Sequence, residues 1–182
     1  MEVLVINGNP DTESQFEEYL RELAVSLEHR RHRVTTLAVR EMVIAECQRC
    51  FGCWVRTPGE CLLPDQSELL RQHFVGSDMV LFASPLLMGY PTALTQKAID
   101  RLLPTLLPYW ESTETGVRHE RRYDKVPVLG VLLHAREEVD SEDLSILDDL
   151  FASIAHQLGT TVKFILFSDI PAHEVAYEIH RL

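Results

Sequence analysis

Four cysteines fall within fifteen consecutive positions of a 182-residue chain, spaced Cys47-x2-Cys50-x2-Cys53-x7-Cys61. Thiolates are soft ligands, and a C-x2-C-x2-C run lets three of them face one iron–sulfur cube. Cys61, beyond a Thr57-Pro58-Gly59 turn, supplies the fourth ligand for a [4Fe–4S] set. The same residues suit other chemistry. Four thiolates satisfy a structural zinc ion, although zinc sites more often use two separated pairs. Any C-x2-C pair can cycle between dithiol and disulfide. A loop of unused thiols is the remaining reading.

Two further stretches offer binding groups with little charge. Asn7-Gly8-Asn9-Pro10-Asp11-Thr12-Glu13-Ser14 follows a first apolar run and leads into a helical pattern. Ser14 is the predicted N-cap, with Glu17 three residues on completing a capping box. A loop over a helix N-terminus directly after a strand is an anion site by geometry, and the cap hydroxyl points at the same orphan amides. The second stretch is Ser84-Pro85-Leu86-Leu87-Met88-Gly89-Tyr90. It offers amides, one glycine and an aromatic, a set suited to a flat, largely apolar ring with amide edges. His134 ends another apolar run on the same side. The other histidines show no ligand spacing.

The elements that must position these groups follow from periodicity. Residues 79–83 are apolar without alternation, the pattern of a strand buried on both faces. Residues 3–6, 32–39, 126–133 and 160–167 read as four more strands. Helices are predicted from Phe16 (Leu20, Leu23, Ala24 and Leu27 inward, Glu17 outward) and over residues 65–74 (Leu69, Leu70 and Phe74 inward). Two more start at Thr92, with Leu94, Ala98, Leu102 and Leu106, and at Asp140-Ser141, ending at Gly159. Residues 108–125 are a polar excursion, read as a hairpin around Thr115-Gly116. Strands alternating with helices give a parallel sheet covered on both faces. Five such strands match the flavodoxin-like order 2-1-3-4-5, in a single domain over residues 1–182. The loops after strands one and three then flank one crevice.

Acidic residues outnumber Lys and Arg by 28 to 17, for a net charge of −11. That balance argues against nucleic acid as a partner. No apolar run approaches the length of a membrane helix, and the N-terminus lacks a basic leader. A cytoplasmic protein is the expectation, with cysteines reduced or metal-bound.

Here the residues resemble a known group. The loop Gly8 to Phe16 resembles the flavin-phosphate loop of flavodoxin-like NAD(P)H:quinone oxidoreductases. The cysteine segment and Ser84 to Tyr90 resemble NADPH-dependent FMN reductases and iron–sulfur flavoproteins. The resemblance implies that Asn9, Ser14, Gln15 and Phe16 hold the flavin phosphate. It implies that Pro85, Leu86, Leu87, Met88 and Gly89 hold the ribityl chain and ring; Ser84 and Tyr90, which flank them, and His134, which ends a strand on the crevice side, complete the candidate cofactor-binding set. Two departures stand out. The family's first loop often carries an arginine or histidine, where this chain has Asn9 and Asp11. The loop after the fourth strand is often glycine-rich, where this chain has His134-Ala135-Arg136-Glu137.

The resulting expectation is an FMN-dependent oxidoreductase that takes hydride from NAD(P)H and passes electrons to a flavin, quinone or protein acceptor. The cofactor carries that chemistry, so no catalytic side chain is assigned. The alternatives are an iron–sulfur flavoprotein with its cluster on Cys47, Cys50, Cys53 and Cys61, and a non-enzymatic electron carrier or regulatory flavin-binding module. A homodimer or larger assembly is expected, with Tyr109 and Trp110 at an interface.

Overall fold

The computed structural model describes residues 1–135 and 139–182. Its centre is β3 (Met79–Leu87), which pairs in parallel with β1 (Glu2–Asn7) on one side and β7 (Val128–His134) on the other. Beyond them lie β2 (Arg33–Ala38) and β8 (Val162–Phe167), giving the order β2-β1-β3-β7-β8. This is the flavodoxin-like sheet read from the sequence.

Alternation along β1 divides the core between the two faces. Val3 and Val5 point to one face, where α1 (Gln15–His29) packs with Phe16, Leu20, Leu23 and Leu27. Leu4 and Ile6 point to the other, towards α3 (Ser67–Gly76), α4 (Ala93–Asp100) and α5 (Ser141–Leu158). A strand between two helical layers must be apolar at every position, hence the unbroken run in β3.

A C-terminal helix, α6 (Ala172–His180), was not anticipated. It lies beside α1, burying Val175, Ala176 and Ile179. Their spacing is helical and Pro171 precedes them, so the signal was present. Tyr19 of α1 donates its hydroxyl to the Ile170 carbonyl at 2.8 Å. Burial, with Asp169 and Glu22 nearby, pushes that phenol up to about 12.

Other boundaries shift for local reasons. Leu69 is 42% exposed, leaving Leu70 and Phe74 to anchor α3. α4 stops at Asp100 and a 3-10 turn, Leu103–Thr105, follows around Pro104, which cannot continue an α-helix. Leu106 therefore belongs to β5 (Leu106–Thr113), which turns at Glu114-Thr115 into β6 (Gly116–Arg121). The expected hairpin is present and starts two residues earlier. Asp140 caps α5 in a reciprocal box with Asp143, and Gly159 ends it.

Candidate active site

The loops after β1 and β3 are locked together by backbone. The Gly8 amide donates to Ala83 O at 2.8 Å, and the Thr92 hydroxyl donates to Gly8 O at 2.6 Å. A Cβ on Gly8 would lie 1.9 Å from Thr95 Oγ1, so only glycine allows the approach. Thr92 also caps α4. One threonine thus ties the start of α4 to the first loop.

Asn9, expected to hold an anion, is buried and its side chain is spent on the loop. Its Nδ2 donates to Asp11 O, Ser14 Oγ and Glu17 Oε2, and its Oδ1 accepts from the Asp11 amide. Asn9 therefore shapes the turn. Ser14 caps α1, accepting from the Glu17 amide, and its hydroxyl donates to Asp11 O. The Phe16 ring is buried, stacked on His134 at 5.2 Å. Its backbone is less fully used: the amides of Thr12, Ser14, Gln15 and Phe16 have no acceptor among the described residues. Helix α1 adds its positive end to the same spot.

Glu17 departs from the sequence reading. Its carboxylate turns inward rather than back over Ser14. Oε2 accepts from Asn7 Nδ2 at 2.9 Å and from Arg40 Nη1 at 3.1 Å, and Oε1 accepts from Arg40 Nη2 at 3.0 Å. Arg40 Nη1 also reaches Asn9 O at 3.1 Å. Burial raises the Glu17 carboxyl, but the hydrogen bonds from Asn7, Arg40 and Asn9 outweigh it and leave the group below its usual range. A buried ion pair thus underpins the loop. Arg40 lies just past β2, too distant in sequence from the loop for spacing to reveal the contact.

β3 runs on to Leu87 and folds back on the short β4 (Tyr90–Pro91). The two turn residues, Met88 at φ 53 and Gly89 at φ 79, have the positive dihedrals of a type I′ turn. Methionine pays about 1 kcal/mol to sit there, and its side chain is 98% exposed. Leu87 and Tyr90 beside it are exposed too. A Cβ on Gly89 would stand 3.5 Å from Asp143 Oδ1, so the tip leans on the first turn of α5. Ser84 is buried, donating to Pro85 O and accepting from the Thr92 amide, so it holds the hairpin's base. His134 pairs in register with Pro85 and meets Ser168 Oγ through Nδ1 at 2.8 Å. Arg136 and Glu137 lie outside the described residues.

The four cysteines line one cavity of about 20 Å³. That space holds about one water. Among the described residues, no three His, Cys, Asp or Glu side chains are arranged to hold a metal ion. The segment as folded does not fit an iron–sulfur cube or a zinc ion. Cys50 is exposed and Cys53, in the short helix α2 (Gly52–Val55), is buried. Burial pushes the Cys53 thiol up, and Cys61, Cys47 and Cys50 add to the effect. The neck of the segment is closed by Asp65, which accepts from the amides of Ala45 and Ser67 and from Arg101. No helix among the described residues is long and apolar enough to cross a membrane.

Comparison with known proteins agrees with this fold. The NAD(P)H:quinone oxidoreductase of Methanothermobacter marburgensis superposes with a TM-score of 0.69 at 16% identity, over 100% of this chain and 95% of that one. Azoreductase AzrA gives 0.68 at 14% identity, over 99% of both chains. An FMN-dependent NADH-azoreductase from Bacillus anthracis, solved with FMN, gives 0.64 at 14%, over 100% of this chain and 95% of that one. At these identities the likeness is one of fold. No curated protein matches the sequence. The family model for NADPH-dependent FMN reductases matches residues 1–138. With that match over most of its length, the chain belongs to the NADPH-dependent FMN reductase family of flavin oxidoreductases.

Proposed function

We propose that the crevice between the first loop and the β3–β4 hairpin holds FMN and uses it to move electrons from NAD(P)H to a small-molecule acceptor. One observation carries this reading. Four unpartnered amides at the N-terminus of α1 lie in a loop bonded directly to β3, whose tip is apolar and exposed. Amides of Ser14, Gln15 and Phe16 supply a phosphate with donors and a helix dipole, without a cation. Pro85, Leu86 and Leu87 offer the ring an apolar edge, with Met88, Gly89 and Tyr90 at its rim. Bound there, FMN supplies the hydride chemistry.

The chain's own part is to bind, orient and shield. The Glu17–Arg40 pair fixes the phosphate loop. Thr92 sets the distance between the loops, because it bonds Gly8 and begins α4 at once. Met88 and Tyr90 leave apolar surface in water, which a second copy of the chain would cover, together with the exposed Tyr109 and Trp110. A homodimer completing the crevice is therefore part of the proposal. The four cysteines enter it as thiols, and no electron path runs through them.

Purified protein titrated with FMN tests the reading. Saturable quenching of flavin fluorescence at one FMN per chain, with NAD(P)H oxidation dependent on the flavin, is the expected result. A folded protein that binds neither FMN nor FAD overturns it.

A further inference from the structure

A cavity of about 360 Å³ opens between the cysteine segment, the β5–β6 hairpin and the ends of α4 and α5. It lies away from the flavin crevice. α4 begins beside Gly8 but contributes its last residues, and α5 begins beside Gly89 but contributes Ser153 to Leu158. From Asp143 to Ile154 the helix axis advances roughly 16 Å.

The walls have a consistent chemistry. Ile99, Leu103 and Ile154 form an aliphatic floor. Opposite them, Phe51 stacks on Trp54 at 5.1 Å, and Trp54 meets His119 at 4.9 Å. The far face of His119 is covered by Trp110 at 3.9 Å. Trp54 is fixed by its indole N–H, which donates to Leu106 O at 3.1 Å. Phe51 is held at φ 55 and Arg49 at φ 49, a strained backbone for residues with side chains. His119 Nδ1 is shut off from solvent with no hydrogen-bond partner among the described residues. The charged lining residues, Arg49 and Asp100, are opposite in sign.

We infer that this cavity is a second ligand site, for a neutral planar aromatic. The volume falls in the range of small-molecule sites, roughly 300–1,000 Å³. Aromatic walls favour a flat ring, and cancelling charges favour a neutral one. Because Cys47 and Phe51 belong to the wall, a bound ligand orders the cysteine segment.

The chain has two tryptophans, Trp54 and Trp110, and both report on this place. The test titrates 1-naphthol into the protein with and without FMN, read by calorimetry and tryptophan emission. Binding at one per chain, with the same affinity in both forms, is expected. Ile154→Trp, which fills the floor, should abolish it while circular dichroism and FMN binding stay unchanged. Displacement of 1-naphthol by FMN would show that the flavin crevice is the binder, and would overturn the inference. So would absence of binding at millimolar concentration, or binding indifferent to Ile154→Trp. Binding seen only when a dimer is dissociated would assign the cavity to a second copy of the chain, and overturns it equally.

Discussion

Arg101 Nη2 donates to both carboxylate oxygens of Asp65, at 2.8 and 2.9 Å, with the two side chains only 2% and 8% exposed. Asp65 also closes the neck of the cysteine segment through Ala45, so this pair ties that segment to the end of α4. Burial raises the Asp65 carboxyl, but bonds from Ser67, Ala45 and Arg101 outweigh it and hold the group at about 2. A carboxylate lowered on folding stabilises the protein above its unfolded pKa of 3.8, and the contribution is lost as pH falls from there towards 2. Asp65→Asn should remove that acid-dependent loss and lower stability at pH 7 by about 3 kcal/mol, since Arg101 is left buried and unpaired. Urea melts across the acid range check both.

The Glu17–Arg40 pair makes a separable forecast. Glu17→Gln keeps the shape but leaves Arg40 only the exposed carboxylate of Glu41, which its Nη2 meets at 3.0 Å, at a cost of about 1–2 kcal/mol. Because the pair supports the loop from beneath, FMN affinity should fall with it. Melting curves without flavin, set beside FMN titrations, separate the two effects. Unchanged affinity would mean that the loop holds its form alone.

Ser14→Ala removes the α1 cap, worth about 1 kcal/mol of stability. If Ser14 also meets the phosphate, FMN binding weakens by a further 1–2 kcal/mol or so. Equal loss of stability with and without FMN would restrict Ser14 to capping.

Met88→Gly should raise the stability of the flavin-free protein by about 1 kcal/mol, through relief of the left-handed backbone. The same change strips the hairpin tip of its apolar side chain and should weaken both FMN binding and dimer formation. Thermal melts and light scattering report these opposite signs.

His32 Nε2 and His180 Nδ1 stand 3.1 Å apart, joining the start of β2 to the end of α6. Burial lowers the His32 imidazole, and the N-terminal ammonium, His180 and Arg30 lower it further. A base depressed on folding gives full stability above its unfolded pKa of 6.5, and loses it as pH falls below that. The wild type should therefore melt at a lower temperature at pH 5.5 than at 7.5. His32→Gln should flatten that slope, and an unaltered slope would clear the pair of responsibility.

The parts of this fold legible in the sequence were those set by neighbours along the chain. The unalternating run of β3, the cap at Ser14 and the Asp140 start of α5 are local patterns. Glu17 looked like a capping residue because Ser14 stands three positions before it. Arg40 claims it instead, and no spacing announces a partner 23 residues away. The Met88-Gly89 turn was hidden for another reason: methionine is a poor residue for a positive φ, so composition argued against the turn that forms. Asn9 shows the limit for the site. The sequence named Asn9 as a phosphate-loop residue, but not the bonds its side chain makes to Asp11, Ser14 and Glu17 within that loop.

The pairing of α1 with α6 has a consequence for biosynthesis. A ribosome that has delivered residues 1–167 has made the whole sheet, yet Leu20, Leu23 and Leu27 still wait for Val175, Ala176 and Ile179. One layer closes only when α6 docks, so nascent chains stay sticky on that face until α6 has cleared the ribosome.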